Sequence, residues 1–138
     1  DIIDAGETIE EEIETLERIY NDYDFFFLHI KKTDSMGEDG NFSGKVKILE
    51  DIDKKIVKIK KLKFESLAIT GDHSTPSVLK GHSWHPVPLV IVSPNMIPDD
   101  VEKFTERECA KGILGTIYAK QIMYLLLASS LKLGKFGA

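Results

Sequence analysis

Ile9, Ile13, Leu16 and Ile19 recur at the spacing of one helix face, Tyr20 extends the stripe, and acids occupy the other side. Thr8 and Glu11 form a T-x-x-E capping box, so the helix is predicted to begin near Glu7 or Thr8 and to end near Asn21 and Asp22. The next run, residues 23–30 (YDFFFLHI), has no polar alternation and reads as a central strand covered on both faces, as in a parallel sheet. His29 lies in that run and is expected to be a packed, hydrogen-bonded core histidine. Residues 31–41 read as a loop, with Gly37 and Gly40 as breakers.

A second amphipathic helix is predicted from Phe42 to about Lys60, its apolar face made by Phe42, Val46, Leu49, Ile52, Ile56 and Ile59. The lysines between residues 54 and 63 fall on its solvated side. A buried strand follows over residues 65–70, then a loop over 71–83, which is long enough to suggest a functional role. Residues 86–92 (PVPLVIV) read as a third strand entered through prolines. Residues 101–109 are expected to be irregular or a short helix. A terminal helix is predicted over 119–132, with Ile122, Leu125, Leu126 and Leu131 available for packing. Continuous apolar strands alternating with helices point to an α/β layer fold with a mainly parallel sheet flanked by helices.

Composition narrows the class. With 138 residues, 42% of them hydrophobic and 30% charged, the chain can bury a real core and is not a disordered segment. A net charge of −5 gives no electrostatic footprint for nucleic acid. The single cysteine, Cys109, rules out an internal disulfide and fits a reducing compartment. The longest apolar run, residues 124–128, is far too short for a membrane span, and no signal-peptide pattern is present, so the expected location is cytoplasmic. The chain opens on Asp1 rather than Met, which suits the tail of something longer.

The candidate chemistry sits in two clusters, each just beyond the carboxyl end of an expected strand, where sites form in parallel α/β sheets. One is residues 33–40 (TDSMGEDG), with Asp34 and Glu38. The other is residues 70–76 (TGDHSTP), with Asp72 and His73, followed nine residues after His73 by His82. Carboxylate oxygen mixed with imidazole nitrogen suits zinc, manganese or iron. Asp34, Glu38, Asp72, His73 and His82, with Asp39 and His85 in reserve, suffice for two metals if another segment adds ligands. Paired metals about 3.5–4 Å apart are the usual clamp for phosphoryl transfer. The competing reading is that Asp72 caps a turn and His82 faces solvent.

Four stretches, HIKKTDSMGEDGNFSGKVKILEDID, TGDHSTP, HSWHPVPLVI and ERECAKGILGTIYAKQIM, resemble in order the C-terminal part of the archaeal-type 2,3-bisphosphoglycerate-independent phosphoglycerate mutases, members of the alkaline phosphatase superfamily. The resemblance covers essentially the whole chain and implies that residues 1–138 are the C-terminal portion of such a catalytic domain. It implies interconversion of 3-phosphoglycerate and 2-phosphoglycerate, in glycolysis, through a metal-activated phosphoserine. It also implies two divalent ions, manganese or zinc. Asp34 and His82 match ligands of one ion, and Glu38 stands where the family carries histidine. Asp72 and His73 match ligands of the other.

The nucleophilic serine belongs to a segment that nothing before Asp34 resembles, and Ser35, Ser74 and Ser83 do not match it, so this chain alone is expected to be inactive. His85 stands where relatives tend to carry aspartate and is expected to be a loop residue. Two alternatives stay open: another phosphohydrolase or phosphotransferase of the superfamily, and a catalytically incomplete fragment acting as a binding unit. A sheet missing strands is expected to self-associate or to pair with a missing N-terminal segment.

Overall fold

The computed structural model describes residues 1–134. The chain divides into two compact units. The first comprises Asp1–Lys63 and Thr75–His82, the second Phe64–Ser74 and, from there, residues 83–134.

In the first unit, α1 (Ile9–Ile19) begins at the predicted capping box. The Thr8 hydroxyl accepts from the Glu11 amide, and the Glu11 carboxylate accepts from the Thr8 amide. Its apolar stripe buries Ile9, Ile13 and Leu16, and Ile59 of α3 (Phe42–Lys61) completes the small core. Asn41 caps α3, its side-chain oxygen accepting from the Gly44 amide at 2.8 Å. Between these helices lies α2 (Lys32–Glu38), a two-turn helix where the sequence predicts a loop. Gly37 reads as a breaker in the sequence, but in the structure it is a contact residue inside α2. A Cβ built on it would lie 2.4 Å from the Thr75 carbonyl oxygen, so only glycine lets the helix approach that segment. The helix stops at Gly40, whose φ of +70° is left-handed.

Three expectations for this unit are corrected. Residues 23–30 form no strand in this chain: they carry no regular secondary structure, and Phe25 and Phe27 are 52% and 79% exposed. An apolar run becomes a strand only when a neighbour supplies ladder hydrogen bonds, and among the described residues no strand pairs with it. For the same reason His29 is exposed rather than a core histidine, and its ring lies 6.2 Å from that of Phe27. The α3 stripe is buried only toward its C-terminal end, while Phe42 and Leu49 stay exposed.

In the second unit, β1 (Leu67–Thr70) and β2 (Leu89–Val92) pair antiparallel, with Leu67 opposite Val92 and Thr70 opposite Leu89. This two-stranded sheet is the only one among the described residues, so the mainly parallel sheet is not what these strands form. Both strands are half-buried rather than enclosed. A short α4 (Glu106–Cys109) fills the region expected to be irregular or briefly helical. The terminal helix is a 3-10 turn over Ala119–Gln121 followed by α5 (Ile122–Ser129), which is tied to the residue preceding β1 by a Ser66–Ser129 hydroxyl pair at 2.7 Å. It ends before Leu131, which has a φ of 58° and is exposed, so Leu131 does not contribute the packing expected of it. Among the described residues, no helix is long and apolar enough to cross a membrane.

Candidate metal centre

In the first unit α2 carries Asp34 and Glu38 four residues apart, which places both carboxylates on one helix face. His82, the last residue of the unit's second segment, comes to that face. Its Nε2 lies 3.4 Å from Asp34 Oδ1 and 3.6 Å from Glu38 Oε1. The Asp34 side chain is 18% exposed, whereas those of Glu38 and His82 are about half exposed. The site thus has one sheltered carboxylate and two groups open to an incoming ligand.

The sequence reading missed three residues that build this face. Thr75, 3% exposed, donates its hydroxyl to Asp34 Oδ1 at 2.7 Å. Lys45 of α3 donates from Nζ to the Thr75 carbonyl at 2.7 Å. Gly37 leaves room for that carbonyl. In sequence, nothing sets Thr75 apart from its neighbours in the 70–76 stretch, and Gly37 reads as a break. A signal was present in the four-residue spacing of Asp34 and Glu38, which is a helical spacing.

In the second unit, Asp72 and His73 follow β1. Asp72 accepts from the His73 amide through Oδ1 at 3.0 Å, and Asp72 Oδ2 lies 3.4 Å from His73 Nε2. Ser74 and Ser83 form an isolated antiparallel bridge. His85 bonds Ser83 Oγ through Nδ1 at 2.8 Å and stacks on Trp84 with ring centroids 4.6 Å apart. It is a loop residue, as expected.

A chain with these motifs and this architecture belongs to the Metalloenzyme superfamily, which matches residues 4–129. Its fold is that superfamily's combination of helices with, in this chain, a small antiparallel two-stranded sheet. The chain is 59% identical to a protein of Aquifex aeolicus named as a probable 2,3-bisphosphoglycerate-independent phosphoglycerate mutase, over 100% of this chain and 34% of that protein. It is 51% identical, with the same coverage, to one of the same name from Thermosipho africanus. The solved structure of the PH0037 protein from Pyrococcus horikoshii superposes with a TM-score of 0.87 at 37% identity, covering 93% of this chain and 40% of that one. These relatives bear out the resemblance seen in the motifs. The chain spans about a third of the length of the curated relatives it matches, 34% in both cases.

His82 stands from each of the two carboxylates at a separation that fits the divalent metal the superfamily implies. Bonds of about 2.0–2.2 Å at tetrahedral angles set neighbouring ligand atoms about 3.3–3.6 Å apart. The two distances from His82 Nε2, 3.4 and 3.6 Å, are of that size.

Proposed function

We propose that this chain supplies metal-ligating residues to a 2,3-bisphosphoglycerate-independent phosphoglycerate mutase. The enzyme interconverts 3-phosphoglycerate and 2-phosphoglycerate and uses two divalent ions. Asp34, Glu38 and His82 hold one ion, and Asp72 and His73 contribute to the other. The observation that carries this reading is the approach of His82 Nε2 to both the Asp34 and the Glu38 carboxylates in a chain so similar to proteins of that name. Two carboxylates to one imidazole favour a hard ion, so manganese is the first choice and zinc the second.

When bound, the ions offset charge on the phosphate oxygens and lower the pKa of the attacking hydroxyl. Asp34 and Glu38 bring two negative charges to their ion. His82, neutral when it ligates, fixes the third direction. The nucleophilic serine lies outside this chain. Its oxygen forms a bond to phosphorus as the bond from phosphorus to the glycerate oxygen breaks, and its proton passes to that departing oxygen. The glycerate then reorients and takes the phosphoryl group back on its other hydroxyl.

The finer fold belongs to the same proposal. Residues 23–30, apolar and partly exposed here, are a strand of a mainly parallel sheet completed by the rest of the longer protein. Residues 1–138 are then the C-terminal portion of the catalytic domain, in the cytoplasm. The relatives' threefold greater length supports this.

The test is manganese binding and phosphoglycerate turnover in the protein at its natural length. Asp34→Asn is expected to lower manganese affinity and to abolish turnover, while the isolated 138-residue chain turns nothing over. The reading is overturned if Asp34→Asn leaves both unchanged, or if a generic phosphomonoester is hydrolysed faster than phosphoglycerate is isomerised.

A further inference from the structure

We infer that Thr75 is a positioning residue for the Asp34, Glu38 and His82 group: its hydroxyl holds the Asp34 carboxylate in the orientation from which it binds a divalent cation. The inference rests on the reading of those three residues as metal ligands. An aspartate carboxylate turns on a broad torsion and has no fixed orientation of its own. The Thr75 hydroxyl donates to Oδ1 at 2.7 Å, the length of a charge-assisted O–H···O bond. The oxygen it holds is the one 3.4 Å from His82 Nε2. A carboxylate oxygen has two lone pairs and can accept a hydrogen bond while it faces a cation.

Thr75 is itself fixed on three sides. Its side chain is β-branched and 3% exposed, so few rotamers are open to it. Its carbonyl is held by Lys45 Nζ at 2.7 Å. Gly37 of α2 packs so closely on that carbonyl that a Cβ there would come within 2.4 Å of it. The Thr75 backbone is therefore anchored to α3 and seated against the helix whose ligands its side chain orients. A threonine serving only to fill space would need no hydroxyl directed at a carboxylate; valine has the same shape.

The test uses the protein at its natural length, titrated with manganese(II) by calorimetry and by the loss of the free-ion electron paramagnetic resonance signal. Melting is followed in parallel with the metal chelated. Thr75→Val is expected to weaken manganese binding about tenfold or more, the usual effect of removing a hydrogen bond to a metal ligand. Thr75→Ser keeps the hydroxyl and is expected to restore most of the affinity. If Thr75→Val does not fold, Thr75→Ala makes the same comparison. The inference is overturned if the hydroxyl-lacking variant binds manganese like the parent while Asp34→Asn does not. It is also overturned if that variant only lowers the melting temperature of the metal-free protein. If Asp34→Asn also binds like the parent, the ligand reading itself fails.

Discussion

Replacing Gly37 by alanine sets two effects of opposite sign against each other. Alanine in a helix interior is favoured over glycine by about 0.5–1 kcal/mol, and Gly37 lies within α2. On propensity alone Gly37→Ala stabilises. The new Cβ, however, would lie 2.4 Å from the Thr75 carbonyl oxygen and 2.9 Å from Thr75 Cγ2. Carbon–oxygen contacts close in to about 3.3 Å even when attractive, so α2 and the Thr75 segment must separate by roughly 0.9 Å. The obstructing atom is backbone and cannot swing aside. Overpacking of this kind costs about 1–3 kcal/mol, and weakening the bond from Lys45 to the same carbonyl adds to it. Steric cost wins, and the net loss is about 1–3 kcal/mol in metal-free urea unfolding. Manganese affinity is expected to fall as well, because the separation pulls Asp34 away from the Thr75 hydroxyl. A Gly37→Ala protein more stable than its parent would refute the reasoning, since the helix gain would then be unopposed.

Glu10 pairs with Lys58 and Lys55 across α1 and α3, and the Lys58 and Lys55 hydrogen bonds hold its carboxyl below the ordinary range. A depressed acid stabilises the fold above its unfolded value and ceases to as pH falls through its folded one. Glu10→Gln is therefore expected to lower stability at neutral pH, and the difference should shrink as the pH falls below the ordinary glutamate range and disappear once it is below the depressed one. Glu12 is the opposite case: burial pushes its carboxyl up, and its Oε2 is buried without a hydrogen-bond partner. Its folded form prefers the proton, so that contribution is present in acid and lost as pH rises; Glu12→Gln should raise stability at pH 7, with no gain below about pH 4. Amide hydrogen exchange over residues 23–30 should be fast in the isolated chain and strongly slowed at natural length, and equal rates would argue against their becoming a strand.

What could be read in the sequence divides by how local the cause is. The Thr8–Glu11 capping box and the α1 stripe are complete within a dozen residues, and the structure reproduces both. Residues 23–30 carry an equally strong apolar signal and form no strand here, because a ladder requires a second segment and periodicity is silent on whether one is at hand. The antiparallel direction of the β1–β2 pair was equally out of reach: apolar strands 67–70 and 89–92 read alike whether parallel or antiparallel. The short terminal helix ends at Ser129, three residues before the stripe suggested, where Leu131 adopts a left-handed φ that no side-chain pattern announces.

The candidate site follows the same rule with one instructive exception. Asp34, Glu38 and His82 were legible as ligand types, since chemistry is a property of single residues. Their convergence depends on α2 being a helix, and Gly37, a poor helix former, sits in that helix where only the lack of a Cβ allows contact with Thr75, thirty-eight residues further along the chain. The residue that argued against the helix is the one that fixes its place. Local propensity weighs a glycine at about 1 kcal/mol against a helix. The buried hydroxyl bond from Thr75 to a carboxylate is worth about 1.5–3 kcal/mol and is available only if the backbones approach. The larger, non-local term decides, so a local rule broken beside a cluster of ligand-type residues points to a site rather than to a loop.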